Sequence, residues 1–151
     1  MLITLKPYKD TESVKAVVYI YKTMKNSTNA LNWFEIPASD LKRARLFYEY
    51  IFGITMTESE MGAIRMAFFP AEPGSGKVSG ALCYHPDFYR PSLWGPVIYL
   101  NGNPDLQLVL DRIESAGGKI LMPKKLIAPD IGYVALFVDC EGNRMALHSS
   151  K

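Results

Sequence analysis

Apolar and polar positions alternate in two registers along this chain, and the switches between them mark its elements. Ala30-Leu31-Asn32-Trp33-Phe34-Glu35-Ile36 reads as a strand closed by Pro37. Leu41, Ala44, Phe47, Tyr48 and Ile51 then recur at helical spacing; Ser39 or Asp40 can cap the start, and Gly53 stops the run. Strands are predicted over Ile54–Ser59, Ala63–Phe69 and Val78–Tyr84, separated by Glu60-Met61-Gly62 and by the loop Pro70 to Gly76. After a Pro- and aromatic-rich connector, His85 to Pro96, the pattern starts again. Val97–Leu100 is a strand, Asn103-Pro104 begins a helix, and Leu106, Val109, Leu110, Ile113 and Ala116 form its apolar stripe up to Gly117-Gly118. Strands Lys119–Met122, Tyr133–Val138 and Arg144–His148 follow.

The second pattern is a copy of the first. Asp40-Leu41, Gly53 and Ala81-Leu82 reappear as Asp105-Leu106, Gly118 and Ala146-Leu147, each 65 residues on. Three anchors with one offset indicate two β-α-β-β-β units, about residues 29–85 and 96–150, that meet around a shared core or cavity. Residues 1–28 fall outside the repeat. They are expected to be an extension, as an added edge strand or a poorly ordered segment, and Met24 is an alternative start.

Length and composition suit one domain with a substantial core: 151 residues, 48% hydrophobic and 21% charged. A net charge of +2, with both signs interspersed, gives no footprint for nucleic acid. The apolar run Ala16–Tyr21 is too short to cross a membrane. Cys83 and Cys140 show no framework spacing, which points to a reducing, cytoplasmic setting.

Particular stretches carry a resemblance. Trp33-Phe34-Glu35-Ile36-Pro37, Asp40-Leu41 through Arg43-Ala44 to Phe47-Tyr48 and Phe52-Gly53, Ala116-Gly117-Gly118, and the closing Asp139-Cys140-Glu141-Gly142-Asn143-Arg144-Met145-Ala146-Leu147-His148-Ser149 resemble the vicinal oxygen chelate superfamily, in its glyoxalase-like subgroup. That superfamily includes glyoxalase I, extradiol dioxygenases, bleomycin-binding proteins and fosfomycin-resistance enzymes. The resemblance covers about residues 30–150 and implies an α+β fold of tandem βαβββ repeats forming a cupped, mixed eight-stranded sheet, with homodimerisation. It also implies ligand positions for a divalent metal on the first and last strand of each unit. Those positions fall on Trp33, Ala81, Val97 or Ile98, and Ala146. None of these side chains coordinates such a metal, so a metal-free protein without a cofactor is expected.

Alternation puts other groups on the same face. With Trp33 inward, Glu35 is inward; Cys83 and His85 follow Ala81; Arg144 and His148 flank Ala146. Glu35 and His148 form the candidate acid–base pair, Glu35 as a general base or, alternatively, a strand-end carboxylate paired with Arg144 or a backbone amide, and His148 alternatively a solvated side chain that ends the last strand. Trp33, Cys83, His85, Trp94 and Arg144 are candidate ligand contacts. Against those roles, Cys83 also reads as a small buried hydrophobe, His85 as a loop cap, and Arg144 as a surface partner of Glu141. Glu35, His85 and His148 are a weaker alternative metal set. Trp33, Phe69, Phe88, Tyr89, Trp94 and Tyr99 would line the cup, with the connector as a lid or dimer contact, although aromatics at sheet positions also serve as plain core.

Four functions remain open at this point. The first is binding of a small apolar or aromatic molecule, by sequestration or transport without turnover. The second is a metal-independent lyase or isomerase using Glu35 and His148. A metal-dependent lactoylglutathione-lyase-like enzyme and a structural dimer module complete the set.

Overall fold

Asp40 begins the first helix by accepting the Arg43 amide at 3.0 Å, and Gly53 ends it in the left-handed conformation (φ 64°). Between them α1 spans Leu41–Phe52, and its buried face is Leu41, Ala44, Phe47, Tyr48 and Ile51, as the spacing predicts. These details come from a computed structural model, which describes residues 29–72 and 74–151. The expectations for residues 1–28 lie outside the described residues.

Around α1 stand β1 (Trp33–Pro37), β2 (Thr57–Met61), β3 (Ile64–Phe68) and β4 (Ser79–Tyr84). They form a sheet of order β1-β4-β3-β2, with β1 parallel to β4 and the other pairs antiparallel. The second unit repeats this with β5 (Tyr99–Asn101), α2 (Gln107–Ile113), β6 (Lys119–Ala128), β7 (Gly132–Val138) and β8 (Arg144–Ser149), in the order β5-β8-β7-β6. The eight strands of the α+β repeat are therefore present, divided between two four-stranded mixed sheets.

Boundaries differ from the sequence reading where local chemistry intervenes. Regular α2 is shorter than the stripe suggests because its first turn is bonded sideways. The Ser149 hydroxyl takes the Leu106 amide at 3.1 Å, and Asp105 takes that of Gln107 at 2.9 Å. The stripe itself holds, with Leu106, Val109, Leu110 and Ile113 buried. Strand β6 runs on to Ala128, past Pro123, through three register shifts against β7; such bulges let a strand carry a proline without losing its pairing.

One core holds the two units together. Ile36, Ala67 and Leu82 of the first sheet, Leu100, Ala135, Phe137 and Leu147 of the second, and the buried stripes of both helices form a single cluster. Phe47 stacks near Phe137 with centroids 6.4 Å apart, and Tyr48 meets Phe69 edge-on at 5.5 Å. Each fully buried side chain of this size contributes about 1.5–3 kcal/mol. Phe69, expected in the cup, belongs to this core instead, packed on Phe34 at 5.6 Å. Gly80 is required where β4 passes β1, because a Cβ there would stand 2.3 Å from the Phe34 carbonyl oxygen. Since both sheets turn their helix-covered faces to the shared core, each keeps an opposite face, helix-free among the described residues.

Candidate functional site

Strand alternation fixes what the helix-free face of the first sheet displays. Phe34 and Ile36 go to the core, so Trp33 and Glu35 point the other way. Across from them lie Ala81 and Cys83 of β4, and Met66 of β3, which bury one another in a separate small cluster with Ile64, Phe68 and Tyr89. Glu35 sits on this apolar floor, opposite Ala81 in the β1–β4 register.

The Glu35 carboxylate is held by two neutral donors. The Trp33 indole N–H donates to Oε1 at 3.2 Å, and the Tyr89 hydroxyl, from the connector, donates to Oε2 at 2.5 Å. Neither partner is the one expected; Arg144 is elsewhere. Burial and the bond to Glu35 push the Tyr89 phenol up, and burial with the nearby Glu35 charge pushes the Cys83 thiol up to about 12. At neutral pH both keep their protons, so Cys83 has no thiolate to act as a nucleophile. Trp33 keeps 39% of its surface exposed and leans on Phe68 with centroids 6.0 Å apart. Among the described residues nothing encloses this face.

The remaining candidates are dispersed. The His85 Nδ1 accepts the Asp87 amide at 3.2 Å, and its carbonyl accepts from Phe88 and Tyr89, so it caps the start of the connector. With Tyr89 and Pro91 it lines a recess of about 370 Å³. A second recess, of about 440 Å³, lies among Leu46, Tyr50 and Ser115; Trp33 and Glu35 line neither. His148 is on the helix-free face of the second sheet. Its Nε2 meets the Ile131 carbonyl at 2.9 Å, which requires Nε2 to carry the proton. Arg144 donates through Nη2 to the Gly95 carbonyl at 2.9 Å, while its buried Nε has no partner among the described residues. The pairing of Arg144 with Glu141 is corrected: Glu141 binds Arg43 at 2.7 Å. Trp94 is 84% exposed and lines neither recess. Trp33, Glu35 and Cys83 are thus brought together, with Tyr89 as the member whose hydrogen-bonding role alternation could not reveal. Glu35 and His148 lie on different sheets, in separate hydrogen-bond clusters.

The residues at the metal positions do not fit a divalent cation. Ala81 and Ala146 are fully buried methyl groups, and Trp33 offers only an N–H donor. Among the described residues no group of three His, Cys, Asp or Glu side chains is placed to hold one, Glu35 with His85 and His148 included.

A family model described as Glyoxalase/Bleomycin resistance protein/Dioxygenase superfamily matches residues 30–147. The chain belongs to this superfamily. Solved structures of the same fold include TnmS3, an antibiotic binding protein from Streptomyces sp. CB03234 (22% identity, 84% of this chain and 100% of that one, TM-score 0.58). A glyoxalase/bleomycin resistance protein from the same source is 24% identical over 80% of this chain and 100% of that one, with a TM-score of 0.58. A glyoxalase I variant from Zea mays is 19% identical over 80% of this chain, with a TM-score of 0.60; the match spans 45% of the maize chain. No curated protein sequence matches this superfamily member. At these identities the structural likenesses establish the fold alone. No described helix is long and apolar enough to cross a membrane.

Proposed function

We propose that the helix-free face of the first sheet binds a small, flat, apolar or aromatic molecule, and that the protein sequesters or carries it without a metal and without turnover. The observation that carries this reading is the Trp33–Glu35–Tyr89 arrangement on the Ala81, Cys83 and Met66 floor. An exposed indole beside an apolar surface and one fixed acceptor can stack on a ring and orient it. Trp33 and two alanines at the superfamily's metal positions favour binding over chelate chemistry. TnmS3, described as an antibiotic binding protein, offers a precedent for such a use of the fold.

A second copy of the chain would close this open face, because exposed Trp33, Met61 and Phe88 leave apolar surface to cover. Nucleic acid and membranes are not its partners in this reading, and two free thiols suit the cytoplasm.

Proton transfer is the second reading, favoured by Glu35 lying on the helix-free face rather than under α1. It needs Glu35 and His148 brought opposite one another, which a second copy would have to supply. Glu35→Gln would then abolish turnover and leave binding largely intact.

The Trp94→Phe protein leaves Trp33 as its sole indole. Titration with acridine, a flat aromatic probe, should quench Trp33 fluorescence saturably with no product formed. Absence of quenching across a set of flat aromatic probes would refute the binding reading.

A further inference from the structure

Glu35 is a charge without a counter-charge among the described residues. Among the described residues no lysine, arginine or histidine lies within ion-pair distance of it. Its neighbours across the β1–β4–β3 registers are Ala81, Cys83, Met66 and Phe68, none of them ionised at neutral pH. The two donors it does have, the Trp33 indole and the Tyr89 phenol, are neutral. They are also aromatic, so the carboxylate is flanked by rings, with Phe68 against Trp33. His85 and Arg90 line the recess beyond Tyr89. The His85 Nδ1 is already taken by the Asp87 amide, and Arg90 is exposed.

An ionised carboxylate only accepts hydrogen bonds, and each oxygen has a further lone-pair site after binding one donor. A ligand group that reaches Glu35 must therefore donate. Carbonyls and ethers offer nothing to it, and an anion is repelled. The rings add their own preference, because an aromatic face carries the negative end of a quadrupole and attracts a cation. We propose that this face selects an organic cation: a protonated nitrogen base with a flat aromatic body, its charged N–H on Glu35 and its ring on Trp33. The inference rests on the binding reading above and names its ligand class.

Three acridines of nearly one shape test it against the Trp94→Phe protein at neutral pH: the cationic aminoacridine, neutral acridine and the anionic acridine carboxylate. Aminoacridine should quench Trp33 with an affinity about tenfold above that of acridine, and the carboxylate should be weakest. Added salt should weaken the aminoacridine and leave acridine nearly unchanged, a readout that needs no further variant. Glu35→Gln should bring the three affinities within about twofold of one another. Equal affinities for all three probes before that substitution, or a salt-insensitive cation, would overturn the charge rule while leaving the binding reading intact. Failure of every probe to quench Trp33 would overturn both.

Discussion

Tyr48 on α1 donates its hydroxyl hydrogen to Asp139, at the end of β7, across 2.8 Å, with both residues buried. The bond joins the two repeat units at a place where water does not reach. Asp139 is otherwise satisfied within its own turn: the Asn143 side chain donates to Oδ2, and the Glu141 and Asn143 amides donate to Oδ1. Asn143 in turn reaches the Pro37 carbonyl at 2.8 Å, tying β1 to the same turn. Burial, with the Asp139 charge behind it, holds the Tyr48 phenol well above its usual range, so it remains a donor.

Tyr48→Phe removes that donor and leaves a carboxylate oxygen short of a partner inside the protein. The expected loss is about 1–3 kcal/mol of stability, read from urea unfolding with an unchanged m-value. A loss close to zero would mean that this bond adds nothing net to the hold between the units.

Glu141 makes the second polar tie between the units. Its side chain is 0% exposed and accepts from the Ser39 amide and hydroxyl at 2.7 Å, the Asp40 amide at 3.0 Å, and the Arg43 guanidinium at 2.7 Å. Burial alone would raise its pKa, but these hydrogen bonds outweigh it and hold the carboxyl below the ordinary 4.5. A depressed carboxyl stabilises the fold above that range, and the contribution is lost as pH falls through the folded value. Wild type should therefore lose more stability than Glu141→Gln on acidification below about 4.5, so that the two unfolding curves converge. Parallel curves down the acid limb would contradict the assignment.

How much of this was legible depends on distance along the chain. The repeat, the helix stripes and the orientation of Glu35 follow from periodicity, because neighbours at spacing two or four are fixed by the backbone. The partners of Glu35 are not, since Tyr89 reaches it from 54 residues away, out of a connector with no period to read. The turn Asp139–Asn143 was visible as a turn only. Its role as the clamp between units depends on Tyr48, Ser39 and Arg43, about 90 to 100 residues earlier. The two-sheet arrangement likewise arises from which faces share a core, a property of packing that no single strand encodes.

The metal positions give a direct prediction. With Trp33, Ala81, Val97 or Ile98, and Ala146 in them, adding nickel, zinc, manganese or ferrous ion to chelator-treated protein should leave the thermal midpoint unchanged. A saturable rise at one metal per chain would show that other side chains supply the ligands.

The central claim is that the ligand face lies over Trp33 and Glu35. Amide and indole chemical shifts, followed by NMR as aminoacridine is added to the wild-type protein, test it most directly. The Trp33 indole N–H and the amides of Glu35, Met66 and Cys83 should move together and saturate, while the Trp94 indole stays in place. Shifts confined to Trp94, Tyr99 and His148, or no saturable shifts at all, would contradict it.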